Sequence, residues 1–244
     1  MTEYCPISDI ATVANFEQGE HVTVIGPTGT GKTTVLRAMS RVRERQGGAL
    51  LLLGTKRIDS TLDRWARSAS LTTIRDWPAP WWRLNHAKTP EGVDWRHRLI
   101  LRPPIRSADD LPIMSEVMGR ALASVYADGG WTVCADELLI FCSMLGLSKP
   151  LELLWTQGRS AGVTVLGGMQ RPVDVSRYSY TQASHLFFFA TADRQDVQRM
   201  GGIGGLDMRE VERVVTGLSG HDMLYLNTRK KDMYLTRLDR KDLR

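Results

Sequence analysis

Cysteine is scarce in this chain of 244 residues: three are present, Cys5, Cys134 and Cys142, widely spaced and in no C-x-x-C or Cys/His arrangement. That usage indicates neither a disulfide framework nor a zinc site, and a reducing cytoplasm fits it best. Also missing is any apolar run near the roughly 20 residues that a bilayer-spanning helix needs. The start of the chain lacks the basic segment followed by an apolar stretch that marks an export signal. A soluble, unexported chain without integral membrane association is the expectation. No internal repeat and no obvious linker interrupts the sequence, so one domain over residues 1–244 is expected. Charge of one sign is not strongly lacking: 32 Lys+Arg against 27 Asp+Glu leaves +5. That balance permits a polyanionic partner without demanding one.

What is present begins at Gly26-Pro27-Thr28-Gly29-Thr30-Gly31-Lys32-Thr33, a complete G-x-x-x-x-G-K-[ST] phosphate-binding loop. Residues 21–25 read as a buried strand entering it, and residues 33–45 as the helix leaving it. The glycines let successive backbone N–H groups turn inward around phosphates, Lys32 brings a point charge toward the β/γ-phosphates, and the Thr33 hydroxyl is placed to ligate Mg²⁺. The helix N-terminus, with Thr34 next in line, adds its partial positive charge. ATP and Mg²⁺ are the expected cofactors, with residues 26–34 as their cradle.

Short apolar runs then recur at 49–53, 99–101, 131–135, 163–166 and 185–190, separated by helical patterns. Such alternation points to an α/β fold, with a mostly parallel central sheet covered by helices on both faces. Met114, Val117, Met118, Ala121, Leu122 and Val125 share one face of a helix between Asp109-Asp110 and Gly129-Gly130, and its methionines read as core filler. Residues 223–227 and 233–238 flank a polar turn, the pattern of a C-terminal β-hairpin. The stretch 76–95 is rich in Trp and Pro; its tryptophans serve either packing or stacking on DNA bases. The run Gly201 to Gly205 has no strand leading into it and reads as a flexible connection.

The strand at 131–135 ends in Asp136 and Glu137, at the edge where α/β sheets place their ligands. A metal bound to phosphate needs one carboxylate and an in-line water needs a base on its far side, so Asp136 is assigned to Mg²⁺ and Glu137 to water activation. A helix over 138–145 is expected to follow. The next strand ends near Gln170, a polar group suited to sensing the γ-phosphate. A helix over 151–159 after Pro150 carries Arg159 near its end, either as a solvated helix-end cation or as a group reaching a neighbour's nucleotide. Arg171, Arg177 and Arg194 stand at other strand ends and loops.

The phosphate loop, the strand ending Ala135-Asp136-Glu137, the segment Gly158-Arg159-Ser160-Ala161-Gly162-Val163 and the strand ending Met169-Gln170-Arg171-Pro172 together resemble the FtsK/HerA superfamily of DNA-pumping ATPases. The resemblance spans roughly residues 20 to 190. In size the chain is similar to genome-packaging ATPases of double-stranded DNA viruses. Through residues 54–59 and 76–80 it also resembles compact ATP-binding proteins of actinobacterial phages and mobile elements. The resemblance implies a RecA-like P-loop core, a homo-oligomeric ring of five or six subunits around double-stranded DNA, Gln170 as sensor and Arg159 as a trans-acting finger. A viral packaging motor docked on a capsid portal is the first expectation, and a conjugative DNA-transfer pump or a slow ATP-dependent assembly switch are the alternatives. Lys56 and Arg57, with Arg64, Arg67 and the loop 102–106, are the candidate contacts to the DNA backbone.

Overall fold

Apolar runs and amphipathic helices alternate through most of the chain, and the strands assemble into one sheet. The computed structural model describes residues 3–78, 98–191, 193–201, 203, 207–239 and 242. In chain order the elements are β1 (Glu3–Tyr4), α1 (Ile7–Ala14), β2 (Val22–Ile25), α2 (Lys32–Arg45), β3 (Ala49–Leu53), α3 (Ser60–Ser68), β4 (Thr72–Ile74), β5 (Arg98–Leu101) and α4 (Leu111–Asp128). They continue with β6 (Trp131–Ala135), α5 (Ser148–Gln157), β7 (Thr164–Met169), α6 (Tyr178–Thr181), β8 (His185–Phe189), α7 (Arg194–Gly201), α8 (Met208–Gly217), β9 (Asp222–Asn227) and β10 (Asp232–Arg237).

The ten strands lie in the order β1-β10-β9-β8-β2-β7-β6-β3-β5-β4. From β8 to β4 all pairs are parallel. The expected C-terminal hairpin, β9 and β10, adds antiparallel to β8, and β1 pairs in parallel with the outer edge of β10. A parallel sheet is buried on both faces, which is why its strands read as unbroken apolar runs. Side chains nonetheless alternate between two cores. Val22, Val24, Leu50 and Leu52 pack with Ile10, Val35, Leu36, Met39 and Trp65 under α1, α2 and α3. Ile25, Leu51 and Leu53 pack with Val117, Met118, Leu151, Leu154, Val211 and Val215 under α4, α5 and α8. Each such side chain contributes about 2 kcal/mol of burial. Met114 and Met118 are core, as their spacing implied.

Several boundaries depart from the sequence reading. The fifth helix starts at Ser148 instead of 151, because Pro150 falls in its first turn, where a missing N–H costs nothing. The helix expected over 138–145 is chiefly a π-helix over Ile140–Met144, closed by the Leu145 N–H on the Ile140 carbonyl at 3.0 Å. The run expected at 163–166 extends to Met169. Trp77 is buried; its Nε1 donates to Ser124 Oγ at 2.9 Å and its ring stands edge-on to Trp131 at 6.0 Å, so this tryptophan packs. The rest of the Trp- and Pro-rich stretch, residues 79–97, lies outside the described residues, as do Gly202, Gly204 and Gly205 of the expected flexible connection.

Candidate active site

Register fixes where the chemistry meets. Ile25 pairs with both Met169 and Phe188, and Ala135 pairs with Gly167, so the carboxyl ends of β2, β6, β7 and β8 come level at one edge. The phosphate loop leaves β2 there. Gly29 and Gly31 have φ of +83° and +111°, values that favour glycine, and they turn the loop into the start of α2. An added Cβ at Gly26 would stand 2.6 Å from Phe189 Cβ on β8, so this glycine permits close packing of loop on sheet. Lys32 is buried, and its Nζ donates to the carbonyls of Gly26 at 2.9 Å and Pro27 at 3.0 Å. Burial lowers its pKa, opposed by the nearby charges of Glu137 and Asp136.

Across the cleft, Thr33 Oγ1 donates to Asp136 Oδ2 at 2.5 Å. Burial raises the Asp136 pKa against the Thr33 hydrogen bond and the charges of Lys56 and Lys32. Its other oxygen, Oδ1, is buried with no hydrogen-bond partner. A buried carboxylate oxygen left over beside a loop hydroxyl fits a hard cation with oxygen ligands, so Thr33 and Asp136 suit Mg²⁺. Gly168 makes room for this acid: a Cβ there would lie 2.3 Å from the Asp136 carbonyl oxygen and 3.1 Å from Oδ1.

Because β7 lies between β2 and β6, its end projects between the loop and the acids. Gln170 Nε2 donates to both oxygens of Glu137, at 3.2 Å each. A cleft of about 310 Å³ is lined by Thr28, Lys32, Thr33, Asp136 and Glu137, and also by Lys56 and Arg64. The structure thus brings Lys32, Thr33, Asp136 and Glu137 together around one cleft, with Gln170 bonded to Glu137.

Other candidates fall elsewhere. Lys56, read from the sequence as a DNA contact, lines this cleft and a neighbouring groove, and Arg57 lines that groove with Arg75 and Arg106. Arg102 is a structural staple, bonded to the backbone of Lys56 and Arg57 and to Asp63. Arg159 lies beside Gly19, ahead of β2 and on the opposite edge of the sheet from the loop. Arg171 is held by Asp193 and Asp196, and Arg177 lies over the Tyr178 ring. The Arg194 side chain lies outside the described residues. One contact had no sequence signal: His221, in the turn before β9, places Nδ1 at 2.8 Å from the Thr30 carbonyl, which makes that nitrogen the donor.

Set against known proteins, residues 12–122 match the ABC transporter family profile, which covers less than half of the chain. The glutamine transport ATP-binding protein GlnQ of Escherichia coli is 43% identical over 49 residues, 20% of each chain. The β-(1→2)glucan export protein NdvA of Rhizobium johnstonii is 49% identical over 37 residues, 15% of this chain and 6% of NdvA. The chain thus matches only a small part of the length of these curated relatives. Solved structures match far more of it. The genome packaging NTPase B204 of Sulfolobus turreted icosahedral virus 2 superposes with a TM-score of 0.59 at 11% identity, over 88% of this chain and 95% of B204. VirB4 of Thermoanaerobacter pseudethanolicus gives 0.65 at 10% identity, over 91% and 90%. The plasmid coupling protein TrwB gives 0.59 at 12% identity, over 98% and 89%. In fold this chain is similar to these structures, a mostly parallel α/β sheet with helices. Within that fold, the loop on β2, the acids on β6 and Gln170 at the end of β7 occupy the carboxyl edge of the parallel strands, where open α/β sheets bind ligands. No helix among the described residues is long and apolar enough to cross a membrane.

Proposed function

We propose that this chain is an ATP-driven double-stranded DNA translocase, the motor that packages a phage genome into a capsid through its portal. The observation that carries the reading is the convergence of Lys32, Thr33, Asp136 and Glu137 on one cleft, with Gln170 bonded to Glu137. The loop N–H groups and Lys32 hold the triphosphate, and Thr33 with Asp136 holds Mg²⁺, which when bound offsets charge on the phosphate oxygens. Glu137 accepts the proton of the attacking water, and Gln170 fixes the plane of its carboxylate.

Arg159 lies beside Gly19, on the amino side of β2, and its assignment to a neighbour's nucleotide in a ring of five or six copies rests on the resemblance of the segment 158–163. The single sheet from β1 to β10 supports treating residues 1–244 as one ATPase unit. DNA as substrate is supported by what the fold relatives are: a genome packaging NTPase and a plasmid coupling protein. Arg57, Arg75 and Arg106, around a groove with no acidic lining among the described residues, are the proposed backbone contacts, and Lys56 borders the same groove.

The likeness to the plasmid coupling protein TrwB favours a second reading, a conjugative DNA pump with the same chemistry. Translocation is tested by displacement of a third strand from a triplex-bearing linear duplex. ATP-dependent displacement by the wild type and none by Glu137→Gln is the expected result, and the absence of displacement by a chain that hydrolyses ATP contradicts the reading. Co-purification with a capsid portal, as against a membrane channel, separates the two settings.

A further inference from the structure

Lys56 follows β3 much as Asp136 follows β6, and these two parallel strands are neighbours. Both residues therefore arrive at the same edge of the sheet. Lys56 lines the nucleotide cleft beside Thr28, Lys32, Thr33, Asp136 and Glu137, and it also borders a smaller recess with Asp136 and Glu137. Its own side of the cleft is built to hold a fixed position. Arg102 Nε donates to the Lys56 carbonyl at 3.0 Å, its Nη2 to the Arg57 carbonyl at 2.9 Å and its Nη1 to Asp63 Oδ1 at 2.7 Å. Asp59 caps α3 by accepting the Leu62 N–H at 2.9 Å. Gly54 completes the brace, since a Cβ there would lie 2.9 Å from Leu62 Cδ2 and 3.3 Å from Arg102 Cγ.

The charges agree with the geometry. Burial dominates the behaviour of Lys32 and Asp136, yet the Lys56 charge acts on both, opposing the Lys32 ammonium and favouring the Asp136 carboxylate. Lys56 and Lys32 line the same cleft and repel one another, and a triphosphate bound between them adds negative charge that favours both. The side of the cleft shared with Asp136 and Glu137 is the side where the terminal phosphate must sit for a water held by Glu137 to reach it.

Resting on the ATPase reading of this cleft, we propose that Lys56 is a second phosphate-binding cation of the site, that it contacts the γ-phosphate, and that it makes the site prefer ATP to ADP. Arg102 is its positioning residue. The assignment moves Lys56 from DNA to nucleotide.

Calorimetric titration of the full chain with ATPγS and with ADP, in the presence of Mg²⁺, tests this. Lys56→Gln is expected to weaken ATPγS about tenfold to a hundredfold, the loss of one charge-assisted contact, and to leave ADP within about threefold. Lys56→Arg restores most of the difference, and Lys149→Gln, an exposed change on α5, leaves both nucleotides unchanged. Arg102→Ala shifts the ATPγS affinity in the same direction as Lys56→Gln. Equal weakening of both nucleotides, or unchanged ATPγS affinity with loss only of DNA-stimulated turnover, overturns the assignment. A wild type that binds ATPγS without hydrolysing ATP sinks the hydrolysis reading alone, and one that binds neither nucleotide sinks both.

Discussion

The Gln170 side-chain amide bridges both carboxylate oxygens of Glu137 at 3.2 Å each, tying the end of β7 to the end of β6. A symmetric clamp of this kind fixes the carboxylate plane while leaving lone pairs for a water. Gln170→Ala removes the clamp and leaves the loop intact, so kcat is expected to fall about tenfold to a hundredfold, the cost of a misplaced catalytic group, with little change in KM. Steady-state phosphate release checks this.

Thr33 and Asp136 form the metal side of the cleft. Asp136→Asn keeps the shape and removes the charge, leaving Oδ1 unable to act as an anionic ligand. Hydrolysis should fall at least about a hundredfold, since metal charge stabilisation supplies several kcal/mol. EDTA should do the same to the wild type, and excess Mg²⁺ should reverse EDTA but not Asp136→Asn.

Gly168→Ala is expected to damage the site through the backbone. Its Cβ would meet the Asp136 carbonyl oxygen at 2.3 Å, so β6 and β7 must separate where the acid is held. Overpacking of this kind costs about 1–3 kcal/mol. A lower urea midpoint together with weaker Mg²⁺ dependence is the expected outcome, whereas lost stability with normal metal dependence would place the strain elsewhere.

Acid should destabilise the fold in two steps. Burial holds the His21 pKa at about 4, down from 6.5, with the Arg159 charge adding to the effect. The unfolded state therefore takes up the proton first, and stability present above pH 6.5 is lost as pH falls toward 4. For Glu20 burial opposes ionisation, but bonds from His185, the Glu17 N–H and Arg229 outweigh it and hold the pKa at about 2, against 4.5. Its contribution disappears between pH 4.5 and 2. Each step is worth at most about 3 kcal/mol. Urea midpoints measured from pH 7 to 3 check this, and His21→Leu should flatten the slope between pH 6.5 and 4.

The meeting of loop and acids was legible in the sequence because the loop that carries Lys32 and Thr33 leaves one apolar strand and Asp136-Glu137 follow another, and in a parallel sheet all such ends meet on one edge. Gln170 was legible for the same reason. Lys56 was equally well placed, at the end of β3, but a basic residue after a strand also reads as a DNA contact, and only the pairing of β3 with β6 puts it in the cleft. His221 was invisible because its link to Thr30 spans most of the chain. The strands β1 and β4 are two and three residues long, too short to show any periodicity. The π-helix over Ile140–Met144 shares its composition with an ordinary α-helix, so its pitch had no signature.

Phosphate release from Mg-ATP by the full chain, with and without linear double-stranded DNA, compared between the wild type and Glu137→Gln, tests the central claim most directly. The wild type is expected to turn over ATP faster with DNA, and the variant to bind ATPγS normally while losing about 10²- to 10⁴-fold in turnover. Turnover that survives Glu137→Gln would show that the acid beside this phosphate loop does not activate water.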